Sequence, residues 1–498
     1  MNFDKISSLD ISKVKAASKS HNTITTINPS TEQVIKEYTL ITKDEIADLA
    51  RKSKKAFKDW RKDYRRRTGF MYAFASELKK HKEHLARVAT TEMGKTIKEA
   101  RSEIDKCAWA VEYFADNGAV FLHDEVINTD ARKSIVTFEP LGVIASLMPW
   151  NFPYWQALRF AAPSLIAGNT VILKPSSVTM QCGLEIEKMF EKVGLPDYVF
   201  KTVIASGTEA EYLIDSEDVS AVTFTGSVPV GAKVAQHATS RLKKIVLELG
   251  GSDPFIVCED ADIEKASSGA VKGRFINCGQ SCIASKRFIV VKNVANEFLE
   301  KFIEKTEKLK IGNPLSDDTD IGPLVNQSAI ESIDEMVKRS IKEGAEVATG
   351  GQRIGGGEED GKRDNGSGKN KGYFYKPTIL KKVTPNMEVA TEETFGPIAP
   401  VIVAEDEQQA LEIANNTKFG LGASVWTQNL NKAEKYSKLL QAGIVTVNNV
   451  VVSDPRVPFG GIKNSGFGRE LSKHGMFEFV NIKSIRFYDE LIHQHYVE

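Results

Sequence analysis

Two residues in this 498-residue chain could share one piece of covalent chemistry. Cys282 closes the run Phe275-Ile276-Asn277-Cys278-Gly279-Gln280-Ser281-Cys282, and Glu248 lies upstream in Leu247-Glu248-Leu249-Gly250-Gly251. A thiol attacks an electrophile as its thiolate, so it needs a nearby base or a site that lowers its pKa. A carboxylate serves as a base near neutral pH only where apolar surroundings raise its pKa. Together the two offer a nucleophile and a general base. Taken singly, a free cysteine reads first as a small buried hydrophobe, so the neighbouring motifs have to decide.

Three of those motifs stand at the ends of strand-like runs. Met148-Pro149-Trp150-Asn151-Phe152-Pro153 closes one, and the amide of Asn151 could stabilise an oxyanion or merely sit in a turn. Val171-Ile172-Leu173-Lys174-Pro175-Ser176-Ser177 ends another in a cation and two hydroxyls, groups able to hold a ribose and a 2′-phosphate at the carboxyl edge of a parallel sheet. An acidic residue at position 177 would repel that phosphate; Ser177 does not. Thr223-Phe224-Thr225-Gly226-Ser227-Val228-Pro229-Val230-Gly231 reads as a strand running into a helix capped by Ser227. The start of that helix offers free N–H donors to a phosphate. The G-x-G-x-x-G dinucleotide fingerprint is missing: Gly466-Phe467-Gly468 lacks the third glycine and follows no predicted strand.

The elements that must position these groups follow from hydrophobic periodicity. Thr25–Tyr38 reads as strand, turn, strand, and the ranges 43–60, 68–91 and 97–116 as amphipathic helices. Short apolar runs at 143–148, 171–174, 199–204 and 222–224, each followed by a helical or loop pattern, suit strands buried on both faces of a parallel sheet. A second series follows Gly250, at 255–257, 288–291, 401–403, 424–427 and 444–448, with helices predicted at 294–309 and 327–343. Alternation of this kind predicts an α/β chain with two doubly wound sheets, the first binding a nucleotide at its carboxyl edge. The range 350–371 is rich in Gly and charge and reads as a surface loop; residues 1–20 read as a polar lead-in.

Composition narrows the function classes. Hydrophobic residues make up 41% and charged residues 27%, and 66 Lys and Arg balance 66 Asp and Glu. That balance leaves no net field to favour nucleic acid or an anionic membrane, and no apolar run is long enough to span one. The five cysteines, Cys107, Cys182, Cys258, Cys278 and Cys282, form no metal-ligand pattern and no disulfide framework, which fits a reducing cytoplasm.

Seven motifs, in order and in register, resemble the NAD(P)-dependent aldehyde dehydrogenase superfamily over roughly residues 25–487. They are Pro149-Trp150-Asn151-Phe152-Pro153, Lys174-Pro175-Ser176-Ser177, Phe224-Thr225-Gly226-Ser227, Leu247-Glu248-Leu249-Gly250-Gly251, Gly279-Gln280-Ser281-Cys282, Glu393-Thr394-Phe395-Gly396-Pro397 and Pro458-Phe459-Gly460-Gly461-Ile462-Lys463-Asn464-Ser465-Gly466. The resemblance implies Cys282 as nucleophile, Asn151 with the Cys282 N–H as oxyanion hole, and Glu248 as the base that activates a hydrolytic water. It implies cofactor contacts from Lys174, Ser176 and Ser177 on the adenosine side. Gly226, Ser227, Gly231 and Leu249 belong around the pyrophosphate, and Trp150, Glu393 and Phe395 around the nicotinamide side. No metal is implied.

The implied fold has a dinucleotide-binding domain (1–116 and 141–249), a catalytic domain (250–447) and a bridging β element (117–140 and 481–498) that builds a homodimer or homotetramer. Ser177 stands where many members carry the Glu associated with NAD, so NADP is the expected cofactor, with NAD the alternative. Within the superfamily the chain is most similar to the succinate-semialdehyde dehydrogenases, and Phe152, Arg159 and Ser453 are the implied substrate contacts. A guanidinium at Arg159 would bind a carboxylate through paired hydrogen bonds. Some of these enzymes carry a second arginine six residues before the nucleophile, where this chain has Ile276. Enzymes of glyceraldehyde, lactaldehyde or broad aliphatic aldehydes are the runner-up; a CoA-acylating enzyme or a non-catalytic protein on the same fold are more distant rivals.

Overall fold

The computed structural model describes residues 23–354 and 372–488; residues 1–22, 355–371 and 489–498, with most of the expected surface loop and the end of the expected bridging element, lie outside the described residues. The described residues open on the expected hairpin, Thr23–Ile27 against Val34–Thr39. The Asn28 side chain accepts the N–H of Ser30 at 2.9 Å and so closes the turn.

The first large sheet has six strands in the order Gly466–Phe467, Lys244–Glu248, Val219–Thr225, Val143–Leu147, Thr170–Lys174, Phe200–Thr202. All pair in parallel except the short Gly466–Phe467 edge. Every residue of Val143–Leu147 is buried, as an apolar run covered on both faces requires. One face packs on the helices Tyr64–Lys80, Ile97–Phe121 and Pro153–Ala167, the other on Lys43–Trp60, Gly207–Asp215 and Val228–Ser240. Register then decides where chemistry can happen: Leu147 pairs with Lys174 and with Phe224, and Thr225 pairs with Glu248. The carboxyl ends that carry Asn151, Lys174, Ser227 and Glu248 therefore line one edge.

The second sheet has seven strands in the order Glu346–Thr349, Thr378–Lys381, Ile398–Ala404, Ser285–Val291, Asp253–Val257, Gly422–Trp426, Ile444–Val447. Only Glu346–Thr349 runs antiparallel. A third, antiparallel sheet joins Val480–Phe487 to Lys133–Pro140 over eight residue pairs, with Glu125–Ile127 on its edge.

Two expectations change. The helical range 68–91 is two helices, Tyr64–Lys80 and Lys82–Met93, separated at His81, whose φ of −101° and ψ of 13° leave the helical region. Leu78 and Leu85 stay fully buried on either side of the break, so the apolar spacing runs on across it, and no Gly or Pro marks it. The helix from Ile97 runs on to Phe121, past the expected end at 116.

Candidate active site

Cys282 belongs to a connection of unusual conformation between the helix Ile263–Phe275 and the strand Ser285–Val291. Asn277 and Cys278 both adopt left-handed backbone angles (φ 51° and 55°), followed by Gly279 at φ 72°. Each non-glycine residue there costs about 1–2 kcal/mol, so the surroundings must hold the turn. Arg274, fully buried, donates to the carbonyls of Ser285, Gly279 and Thr394 at 3.0–3.1 Å and to that of Gly396. Charge-assisted bonds of about 1.5–3 kcal/mol each are ample to offset the strain. Glu99 accepts the N–H of Asn277 at 2.6 Å, and the Gln280 side chain takes the N–H of Val325. Lys286, also fully buried, donates to the carbonyls of Gly251 and Cys282 and to Glu393 Oε1 at 2.6–2.9 Å.

Asn151 is brought to this turn. Its Nδ2 donates to the Gln280 carbonyl at 3.1 Å, its own carbonyl accepts from Asn277 Nδ2 at 2.8 Å, and its buried Oδ1 has no partner. The Cys282 N–H has no acceptor among the described residues. The helix Pro153–Ala167 that follows Asn151 has no side-chain cap of its own. Glu103 supplies one from the helix Ile97–Phe121, accepting the N–H groups of Tyr154 and Trp155 at 2.8–2.9 Å.

Cys282 opens into a cavity of about 390 Å³ walled by Phe152, Trp155, Gln156, Phe459, Val451 and Ile283. Arg159, Ser453, Lys106 and Ile276 also line it. Burial pushes the Cys282 thiol up to about 11 against the opposing pull of Arg159 and Lys286, with Glu248 and Glu393 adding to the rise. Desolvation wins, so the thiol needs help to ionise near neutral pH. Glu248 is held well above the usual carboxylate range, first by burial and then by repulsion from Glu470, while Arg159 and Arg469 pull it back. Neither of its oxygens has a hydrogen-bond partner. Its Oε1 lies where a Cβ on Gly460 would come within 2.7 Å, so a glycine there makes room for the carboxyl.

Arg159 is buried to 1% exposure, pairs with Glu470 and lays its guanidinium over the Phe459 ring, 4.5 Å from the centroid. Its Nη2 keeps no partner. Arg274 turns to the backbone of the Cys282 connection instead of the cavity. Cys278 is buried in the core, as are Cys107, Cys182 and Cys258.

The aligned strand ends carry the residues expected to hold a dinucleotide. Lys174 makes no ion pair or hydrogen bond among the described residues, and burial lowers its pKa. Ser176 Oγ accepts the N–H of Val178, and Ser177 is exposed beside it. Ser227 begins the helix Val228–Ser240 without a side-chain cap and with no acidic residue in the first turn. A Cβ on Gly226 would strike the Phe224 ring at 2.5 Å, and one on Gly231 would meet Leu249 at 2.4 Å. An unpaired cation and an uncapped helix N-terminus, at the ends of two strands that flank Val143–Leu147, fit an adenosine phosphate and a pyrophosphate. Glu393 is docked against Gly250, where a Cβ would stand 2.1 Å from its Oε2, and accepts the Gly251 N–H at 3.1 Å. Trp150 and Phe395 meet edge to face, with ring centroids 5.7 Å apart. Sequence reasoning found these groups by motif. It missed Lys106, Lys286 and Glu470 and left the direction of Arg274 open, since nothing local in the chain marks their partners.

Comparison with known proteins gives the family. The profile of the aldehyde dehydrogenase family matches residues 15–485. A probable succinate-semialdehyde dehydrogenase [NADP(+)] of Synechocystis sp. is 42% identical, covering 93% of this chain and 99% of that protein. A succinate-semialdehyde dehydrogenase [NADP(+)] of Mycobacterium leprae is 41% identical with the same coverage. The crystal structure of succinic semialdehyde dehydrogenase from Streptococcus pyogenes in complex with NADP+ superposes with a TM-score of 0.89 at 32% identity, over 94% of this chain and 100% of that one. The chain belongs to the aldehyde dehydrogenase family.

Proposed function

We propose that this protein oxidises succinate semialdehyde to succinate with NADP+ and water. The observation that carries this reading is a thiol facing a largely apolar cavity whose wall also holds Arg159, with a buried, unpartnered Nη2. The relatives named for the same reaction support it.

In this scheme Cys282 attacks the aldehyde carbon, and the resulting oxyanion takes hydrogen bonds from Asn151 Nδ2 and the Cys282 N–H. Collapse of the thiohemiacetal leaves a thioester on Cys282, and water deprotonated by Glu248 releases the carboxylate. The nicotinamide, when bound, supplies the electron-pair acceptor for the oxidation. Lys174, Ser176 and Ser177 would hold the adenosine ribose and its phosphate. Gly226, Ser227, Gly231 and Leu249 would line the pyrophosphate path, and Glu393, Phe395 and Trp150 the nicotinamide side. Splitting the oxidation into acylation and hydrolysis replaces one difficult step by two easier ones. Glu248 also separates this reading from acyl transfer to coenzyme A, which needs no hydrolytic base.

We also place the division into dinucleotide-binding, catalytic and bridging parts near residues 249 and 447, and assign self-association to the three-stranded sheet. That sheet leaves Val126 and Phe487 exposed on one face and Ile127 and Ile482 on the other, apolar surface that a second subunit would cover. All five thiols are free, in keeping with a reducing cytoplasm.

Purified protein given succinate semialdehyde, glyceraldehyde and butyraldehyde in turn, with each dinucleotide, tests the assignment. The highest kcat/KM is expected for succinate semialdehyde with NADP+; equal or better turnover of glyceraldehyde would displace the substrate assignment. Asn151→Ala should lower kcat by about 10²–10³-fold, the usual effect of losing one oxyanion donor, with far less change in cofactor affinity measured by fluorescence quenching. Ser177→Glu should set a carboxylate against the 2′-phosphate and lower the NADP/NAD ratio of kcat/KM by about 10–100-fold; an unchanged ratio would remove Ser177 from the cofactor site.

A further inference from the structure

Lys106 is a half-buried cation of the cavity wall with no acidic partner among the described residues; Lys272, which also lines the cavity without an ion pair, is exposed. Lys106 projects from the helix Ile97–Phe121 with its ammonium over the Trp155 ring, 4.5 Å from the centroid, and donates to Ser453 Oγ at 2.7 Å. No carboxylate pairs with it among the described residues: Glu103 is engaged by Lys95 and two backbone N–H groups, and Asp454 by Arg456. Arg159 differs, since Glu470 already balances its charge. Ser453 accepts from Lys106, so its own proton stays free to donate. Ile276, 38% exposed and apolar, lines the same cavity without contributing a charge. A half-buried ammonium held over an indole beside a hydroxyl, with a second cation near enough to lower its pKa, lacks only an anion.

We propose that Lys106 and the Ser453 hydroxyl form a carboxylate-binding subsite, working with Arg159, that selects aldehydes with an anionic tail. The inference rests on the succinate-semialdehyde reading above and names the group that supplies its selectivity. The ammonium binds as a compact point charge and the hydroxyl fixes direction, while Arg159 offers its free Nη2. The apolar walls exclude water and strengthen the charge-assisted bonds.

The test is the ratio of kcat/KM for succinate semialdehyde to that for butyraldehyde, a chain of matched length without the carboxylate. Lys106→Met should lower this ratio by about 10–100-fold, the effect of losing a hydrogen bond to a charged group, and Lys106→Arg should restore most of it. A second measurement needs no variant. Burial lowers the Lys106 pKa to about 8, with nearby Arg159 lowering it further and Cys107, Asp454 and Glu103 opposing. The charge is therefore lost as pH rises, and the ratio in the unaltered enzyme should fall between roughly pH 7 and pH 9. An enzyme that prefers the semialdehyde while Lys106→Met keeps that preference, or whose ratio is flat across this range, overturns the role of Lys106 alone. An unaltered enzyme indifferent to the carboxylate overturns the substrate reading itself, and this subsite with it.

Discussion

Cys282→Ser should abolish aldehyde-dependent reduction of the dinucleotide, with a loss of roughly 10⁴-fold or more, as when a covalent nucleophile is removed. The substitution changes one atom. The turn that carries residue 282 is held by Arg274, Lys286, Gln280 and Glu99 through backbone groups, and none of those contacts uses the sulfur. The thermal midpoint should therefore stay within a few degrees of the parent, and cofactor titration should be unaltered. A hydroxyl in the same half-buried place is far harder to ionise than a thiol already pushed up to about 11, and the nearby cations Arg159 and Lys286 cannot close that gap. Cys278→Ser is the matched control. That thiol is buried among apolar side chains, so its replacement should cost stability through a buried hydroxyl and leave the chemistry in place. If Cys282→Ser retained appreciable activity, or Cys278→Ser lost as much, the nucleophile would have been misassigned.

How much of this was legible before the structure depends on the range of the interaction that fixes each feature. The parallel strands were readable because a strand covered on both faces is mostly apolar, as Val143–Leu147, with Ser146 its one polar residue, and Phe255–Val257 are. Lys244–Glu248 was harder to see as a strand, because it begins on a charge and ends on the very carboxylate that marks the site. Glu346–Thr349, at the sheet edge, and Thr378–Lys381 beside it were missed for the same lack of a continuous apolar run. Cys282, Glu248, Asn151, Lys174 and Ser227 were recognisable because each sits beside a glycine, a proline or a strand end, which are local marks. Arg274, Lys286 and Glu470 leave no such mark: their partners lie up to 311 positions away (Arg159 to Glu470), and a buried charge in isolation looks like any surface one. Lys106 was hidden for a further reason. On a helix it has the spacing of a solvated face, and only the approach of Trp155 and Ser453 from other segments turns that face into a cavity wall.

Glu248→Gln should separate the two halves of the reaction. Glutamine fills the same space but cannot take a proton, so acylation of Cys282 should proceed and hydrolysis should stall. Rapid mixing should show about one equivalent of reduced dinucleotide per active site, followed by a steady rate lowered by about 10²–10⁴-fold, the usual contribution of a general base. The pH profile gives an independent check. Burial and the neighbouring Glu470 favour the neutral form of Glu248 and raise its pKa well above the ordinary value. The active base is the ionised form, so in the parent enzyme the hydrolytic rate should climb as pH rises through that raised pKa, and the variant should lose the climb. Glu470→Gln tests the cause of the shift. Removing the Glu470 charge takes away a repulsion on Glu248 and at the same time frees Arg159 from its ion pair. Both changes favour the ionised base, so the ascending limb should move to lower pH. A limb that stayed in place would mean that burial alone sets the base, and a Glu248→Gln enzyme turning over at the parental rate with no burst would take the hydrolytic role away from this carboxylate.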